Sequence, residues 1–213
     1  MRTLAFGLLG VAAALAPATA QEWELGGLGS YGFTAGLQAK APAGTATTGF
    51  APGYAWGALA GHNSHRLVGG EIRYVFRRSD LRVESAGQKA TMRGHAHLVH
   101  YDLLFHAAQR GAPVRPFIAV GGGARMFRGS GLERAVQPLS QFVLLTRTRQ
   151  TLPVLSAGGG VKLRVSPRVS FRLEIRDYIS PSPDKLLTPA PGAEIRGWLH
   201  DIVPMAGLAL TLP

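Results

Sequence analysis

Beyond residue 20, apolar and polar positions alternate with a period of two along most of the chain. In residues 171–178, FRLEIRDY, Phe171, Leu173 and Ile175 fall on one parity and Arg172, Glu174 and Arg176 on the other. Successive side chains of a β-strand point to opposite faces, so this period predicts strands. The pattern recurs over 22–37, 48–60, 67–77, 92–106, 114–127, 152–165, 169–179 and 198–212, eight strands in all. One parity is apolar and rich in aromatics: Trp23, Tyr31, Phe33 and Leu37, then Phe50, Tyr54 and Trp56, then Tyr74 and Phe76, then Tyr101 and Phe105, then Phe171. The other parity carries the charges. Only 136–147, VQPLSQFVLLTR, reads as a helix candidate; it lies in a connection and can equally be a loop or a strand extension.

The connections fall into two classes. Residues 61–66, 107–113 and 166–168 are short, while 38–47, 78–91, 128–151 and 180–197 are long, and the two classes alternate strictly. A soluble sandwich has no reason to gather every long loop at one end. A bacterial outer-membrane barrel does, with an even strand number, short periplasmic turns and longer outer loops. The fold expected is therefore all-β: an eight-stranded antiparallel up-and-down transmembrane β-barrel.

Composition sharpens this expectation. Arg2, an apolar run from Leu4 to Leu15 and Ala18-Thr19-Ala20 form a secretory signal with a small-x-small cleavage site. This divides the chain into a signal peptide, 1–20, and a barrel domain, 21–213, with no further domain expected after it. The chain has no Cys, so disulfides, thiol chemistry and lipoprotein anchoring are excluded. Net charge is +11, yet Arg77–Arg78 is the one adjacent basic pair, which argues against nucleic acid as a partner. With apolar residues toward lipid, Trp23, Tyr31, Phe33, Tyr54, Trp56, Tyr74, Phe76, Tyr101, Phe105 and Phe171 are lipid-facing or interfacial. The charged parity then faces the lumen.

An eight-stranded barrel is wide enough only for its own side chains. Charges inside it must pair, because an unpaired ion removed from water is costly. The inward positions hold both signs: Glu71, Asp102 and Glu174 against Arg73, Arg125, Lys162, Arg172 and Arg176, with His100 as a titrating member. A lumenal ion-pair network is expected rather than an open pore. Two glycine triplets, Gly121–Gly123 and Gly158–Gly160, lie on neighbouring strands and are expected to face each other, making room for long side chains.

Three function classes follow. The first is a non-catalytic outer-membrane barrel, structural or porin-like, with partner specificity in its loops. Loop 128–151 is the candidate for an extracellular ligand because it carries Leu139, Phe142, Val143, Leu144 and Leu145; the competing reading is a cap packed on the barrel mouth. The second is a barrel enzyme: His62-Asn-Ser64 has the His-x-Ser order of outer-membrane lipid A deacylases, although turns favour such residues anyway. The third is a soluble periplasmic barrel binding a small apolar ligand, which requires the opposite polarity. No cofactor or metal is expected; His95 and His97 share a face, but no carboxylate accompanies them there.

The segments PFIAVGGGARMF, LPVLSAGGGVKLRV and VSFRLEIRDY and the closing GLALTL resemble the outer-membrane β-barrel family typified by the outer-membrane protein A transmembrane domain. That resemblance implies an eight-stranded barrel in the bacterial outer membrane with a periplasmic N-terminus. It implies outer-membrane lipid and, during insertion, the barrel-assembly machinery as partners. It also implies a lumenal salt-bridge gate, for which Glu71, Arg73, Lys162, Arg172 and Glu174 are the carriers.

Overall fold

The computed structural model describes residues 22–63 and 65–212; the signal segment 1–20 lies outside them. In chain order the first strands are β1 (Glu22–Thr34), β2 (Leu37–Ala41), β3 (Gly44–Phe50), β4 (Gly53–Asn63) and β5 (Val68–Arg78). They are followed by β6 (Leu81–Ser85), β7 (Gln88–Met92), β8 (Gly94–His106), β9 (Val114–Gly129) and β10 (Val143–Leu145). The last are β11 (Arg149–Arg164), β12 (Val169–Pro181), β13 (Leu187–Pro189), β14 (Glu194–Arg196) and β15 (Trp198–Leu212). Among the described residues there is no helix.

Eight of these strands close into an antiparallel barrel in the order β1-β15-β12-β11-β9-β8-β5-β4. The seam joins the two ends of the chain, with Trp23 opposite Leu212 and Phe33 opposite Ile202. Barrel strands run from 11 residues in β4 to 16 in β9, enough for a tilted bilayer crossing of about 9–11 residues. Short turns gather at one end with Glu22 and Leu212; the long connections all leave from the other.

Those long connections are themselves folded. A five-stranded sheet, ordered β14-β2-β3-β6-β7, and the β10-β13 pair stand at the long-loop end. Between β6 and β7, Ala86 and Gly87 both take positive φ, 48° and 77°, as a two-residue hairpin turn requires. The stretch 136–147 contributes only β10 and turns, not a helix.

Most barrel-strand boundaries shift by one to three residues, and two shifts, in the first and second strands, change where side chains go. The first barrel strand ends at Thr34 rather than 37, and the second begins at Gly53 rather than 48. Leu37 and Phe50 therefore do not face lipid: both are buried under the loop sheet, and the Phe50 ring stacks on Phe127 at 5.1 Å. The reason is that alternation does not stop where the chain leaves the barrel. β2 and β3 continue the same period toward a different core. One contiguous apolar cluster runs from the lumen through Phe127 and Phe50 to Leu81, Val83 and Phe142 of the loop layer.

Candidate functional site

The barrel exterior is apolar and the interior is charged. Trp23, Tyr31, Phe33, Tyr54, Trp56, Tyr101 and Phe105 are exposed on the outer face, and Tyr74, Phe76 and Phe171 are half-buried among neighbours on it. They interlock: Trp56 lies 5.6 Å from Tyr74 and 5.7 Å from Phe76, and Tyr31 lies 5.6 Å from Phe33. Ile118, Val120, Leu173, Ile175 and Leu208 extend the exposed apolar surface to the far side of the barrel. So wide an apolar belt is unstable in water and is what the bilayer core covers. It is also the reverse of the polarity that a soluble barrel with an apolar ligand needs, so that reading fails.

Inside, the charged side chains form three levels. Nearest the short turns, Lys162 Nζ donates to Glu24 Oε2 at 2.5 Å and Asn63 Nδ2 donates to Glu24 Oε1 at 3.2 Å, with Arg172 Nη1 3.7 Å from the same carboxylate. The middle level interleaves Glu71, Asp102 and Glu174 with Arg73, Arg172 and Arg176. Arg73 bonds Glu71 and donates to Glu174 Oε1 at 2.7 Å. Arg172 and Arg176 each donate to Glu71 at 3.0 Å, and Arg176 Nη1 also reaches Asp102 Oδ2 at 2.8 Å. The other oxygen of Asp102 holds His100 Nδ1 at 3.1 Å. In the third level, toward the loop sheet, Asp201 takes Arg77 Nη1 at 2.5 Å and Arg125 Nη2 at 2.7 Å. The Arg125 guanidinium also rests 4.4 Å over the Phe127 ring.

Burial makes this arrangement decisive. Arg73, Arg125, Arg172, Arg176, Asp102 and Asp201 are all 0% exposed. Three guanidiniums against three carboxylates leave the middle level neutral, and each charge has its counter-ion within hydrogen-bond reach, which offsets its desolvation. The geometry follows from the closure: β5 and β12 stand four strands apart around the barrel in either direction, so Arg73 and Glu174 meet across its diameter.

The glycine triplets supply the room, but they do not lie opposite each other. Gly122 pairs with Leu155 and Gly159 with Ile118, an offset along the ladder. Each triplet instead flanks the charged strand on its other side: Gly121 sits beside Asp102 and Gly123 beside His100, Gly158 beside Arg176 and Gly160 beside Glu174. A Cβ on Gly158 would lie 2.8 Å from Arg176 Cδ, and one on Gly160 would lie 2.6 Å from Glu174 Cβ. A side chain at either position would force its neighbours to move.

All nine positions expected in the lumen lie in it, and buried Glu24, Asn63, Arg77, Arg115 and Asp201 belong with them. Glu24 and Arg77 sit on the charged parity of their strands, which was the available signal; Asp201 is the lone charge on an inward parity shared with Leu199, Val203 and Met205. His62 lies at the short-turn end, 3.0 Å from the Tyr101 hydroxyl and with its ring 5.8 Å from Trp23; Ser64 lies outside the described residues. His95 and His97 pack edge to face at 5.2 Å, and His97 Nδ1 meets the Tyr74 hydroxyl at 2.8 Å. In loop 128–151, Leu139, Phe142, Val143 and Leu145 are buried in the cap, while Leu144, Leu132 and Val136 face outward.

No protein-family model matches the chain, and no curated protein does. Solved structures do. Neisserial surface protein A is similar over 89% of this chain and 96% of its own, at 11% identity and a TM-score of 0.53. A major outer membrane protein from Thermus thermophilus is similar over 89% of this chain and 99% of its own, at 12% identity and a TM-score of 0.51. The fold is that of the small outer-membrane β-barrels. At these identities the likeness extends to architecture alone, and the lumenal network stands on its own geometry.

Proposed function

We propose that the protein is a small, closed outer-membrane barrel that works without catalysis, as a rigid scaffold presenting its loop sheet on the cell surface. The observation that carries this reading is the lumen, where buried Glu71, Asp102 and Glu174 neutralise Arg73, Arg172 and Arg176 across the barrel and leave no open path at that level. The N-terminus and short turns lie in the periplasm, the outer-membrane lipid covers the aromatic belt, and the barrel-assembly machinery inserts the chain. Any extracellular partner meets the outward residues Leu132, Val136 and Leu144 of loop 128–151, because Leu139, Phe142, Val143 and Leu145 are committed to packing.

Two measurements test this. The full chain folded in detergent micelles is expected to migrate faster in SDS before boiling than after it, and to give no porin-like conductance steps in planar bilayers. Steady conductance in the wild-type chain refutes a closed lumen. Orientation is read separately. The chain has no Cys, so Gln88→Cys and Pro167→Cys each carry a single thiol. On intact cells a membrane-impermeant maleimide is expected to label the first and spare the second; the reverse pattern inverts the topology.

A further inference from the structure

The short-turn end contains a cavity that the closed-scaffold reading does not use. It has a volume of about 110 Å³ and lies between the 107–113 and 165–168 turns, with Lys162 and Glu24 beneath. Arg110, Arg164 and Arg168 line it, and none of the three forms an ion pair among the described residues. Arg115 and Lys162 add two further cations, both buried. The lining holds a single carboxylate, Glu24, and it is already bound by Lys162 at 2.5 Å and flanked by Arg172 at 3.7 Å.

Two of the lining residues also carry unused hydrogen-bond donors. Arg110 Nε and the Ser170 hydroxyl are both buried, both belong to cavity-lining residues, and neither has a partner in the structure. A buried donor left unsatisfied costs free energy comparable to a lost hydrogen bond, which a small shift toward an acceptor in the cavity would recover. Arg110 is tethered once, Nη2 donating to the His65 carbonyl at 3.3 Å, whereas the Arg115 guanidinium is held three times, by the carbonyls of Ala108 and Arg66 and by Asn63 Oδ1 at 3.0–3.2 Å, which makes it a fixed wall.

We propose that this cavity is a binding site for a phosphate-class oxyanion. Its volume suits a single tetrahedral anion of a few heavy atoms. The planar fork of Arg110 and the exposed guanidiniums of Arg164 and Arg168 match the geometry and charge of phosphate oxygens, to which arginine binds more specifically than lysine. The Ser170 hydroxyl supplies an uncharged donor. Two sources share this chemistry: free phosphate in the compartment facing the short turns, and the headgroup of an anionic phospholipid in the adjoining leaflet.

Two arms separate them. In the first, inorganic phosphate is titrated calorimetrically into the full chain folded in zwitterionic detergent. In the second, the chain is placed in nanodiscs of phosphatidylcholine with and without phosphatidylglycerol, and retained lipid is read by native mass spectrometry. Saturable phosphate binding assigns a free oxyanion. Retention of one phosphatidylglycerol without phosphate binding assigns the headgroup. In either case Arg110→Gln with Arg168→Gln is expected to weaken binding about tenfold or more, as loss of charge-assisted bonds does. Arg196→Gln, at the opposite end and paired with Glu194, serves as the unaffected control. Folding of each variant is checked by its heat-shifted mobility, and Arg164→Gln alone replaces the double variant if that one does not fold. Absence of binding in both arms, or binding that the folded variants retain undiminished, overturns the site.

Discussion

Asp201 is the most exposed point of the lumenal network in energetic terms, although it is wholly buried. Arg77 and Arg125 are also buried, and each has Asp201 as its one carboxylate partner among the described residues. Two unit charges about 4 Å apart attract by about 4 kcal/mol at an effective dielectric near 20. Asp201→Ala removes two such attractions and leaves two guanidiniums in the lumen with no anion. Breaking one buried pair costs about 3–5 kcal/mol, so the expected destabilisation is at or above about 5 kcal/mol. Glu71 offers the comparison. Its three partners keep other carboxylates: Arg73 keeps Glu174 at 2.7 Å, Arg176 keeps Asp102 at 2.8 Å, and Arg172 keeps Glu174 at 3.5 Å. Glu71→Gln retains the shape and one acceptor and is expected to cost about 2 kcal/mol.

Urea unfolding in phospholipid vesicles, followed by tryptophan fluorescence and by heat-shifted mobility, reads both values. The sharper test is rescue. If the cost of Asp201→Ala is stranded charge, then adding Arg77→Met and Arg125→Met returns most of the lost stability, because apolar replacement of a buried ion pair is often neutral or favourable. An Asp201→Ala variant no weaker than Glu71→Gln, or a triple variant no better than the single, refutes the reasoning.

Three further outcomes are expected. Gly160→Val places atoms where Glu174 Cβ already lies 2.6 Å from the Cβ position, so the variant is expected to give no heat-shifted band on refolding. Ile175→Arg, on the exposed apolar belt, is expected to cost about 2–4 kcal/mol in bilayers if it lies near the midplane, and urea titration in vesicles measures this. Phe142→Ala, in the cap, is expected to cost about 3–5 kcal/mol locally and to open the loop sheet to protease while the barrel stays resistant; Leu132→Ala, on the surface, is expected to leave proteolysis unchanged.

The barrel was readable because lipid outside and charge inside impose the same period on every strand. Val99, Tyr101, Leu103 and Phe105 on β8 declare one face, while His100 and Asp102 declare the other, without any knowledge of their neighbours. The loop sheet was not readable, for the same reason. Leu37 and Phe50 keep the parity of the barrel strands beside them while serving a different core, and the β6–β7 turn begins with Ala86 where a glycine or asparagine would have signalled it. Asp201 is a lone charge among Leu199, Val203 and Met205 on the inward parity of β15, and its importance depends on Arg77 and Arg125, which lie in distant segments and meet it only across the closed barrel. Sequence reveals which face a residue takes. Which residue it finds there is set by strand order and register.

The β1–β15 seam also fixes an order of events. Lys162 and Glu24 are 138 residues apart, Arg73 and Glu174 101, and Arg125 and Asp201 76, and each pair reaches across the lumen rather than along a hairpin. Such distant contacts are slow to form, because chain entropy is lost before they repay it. Hairpins such as β4–β5 and β11–β12 can zip locally while their charged faces stay hydrated. Only closure of the seam dehydrates both sets of charges together. The network is thus a latch made late, and its stabilisation should appear chiefly as slow opening of the finished barrel rather than as fast assembly.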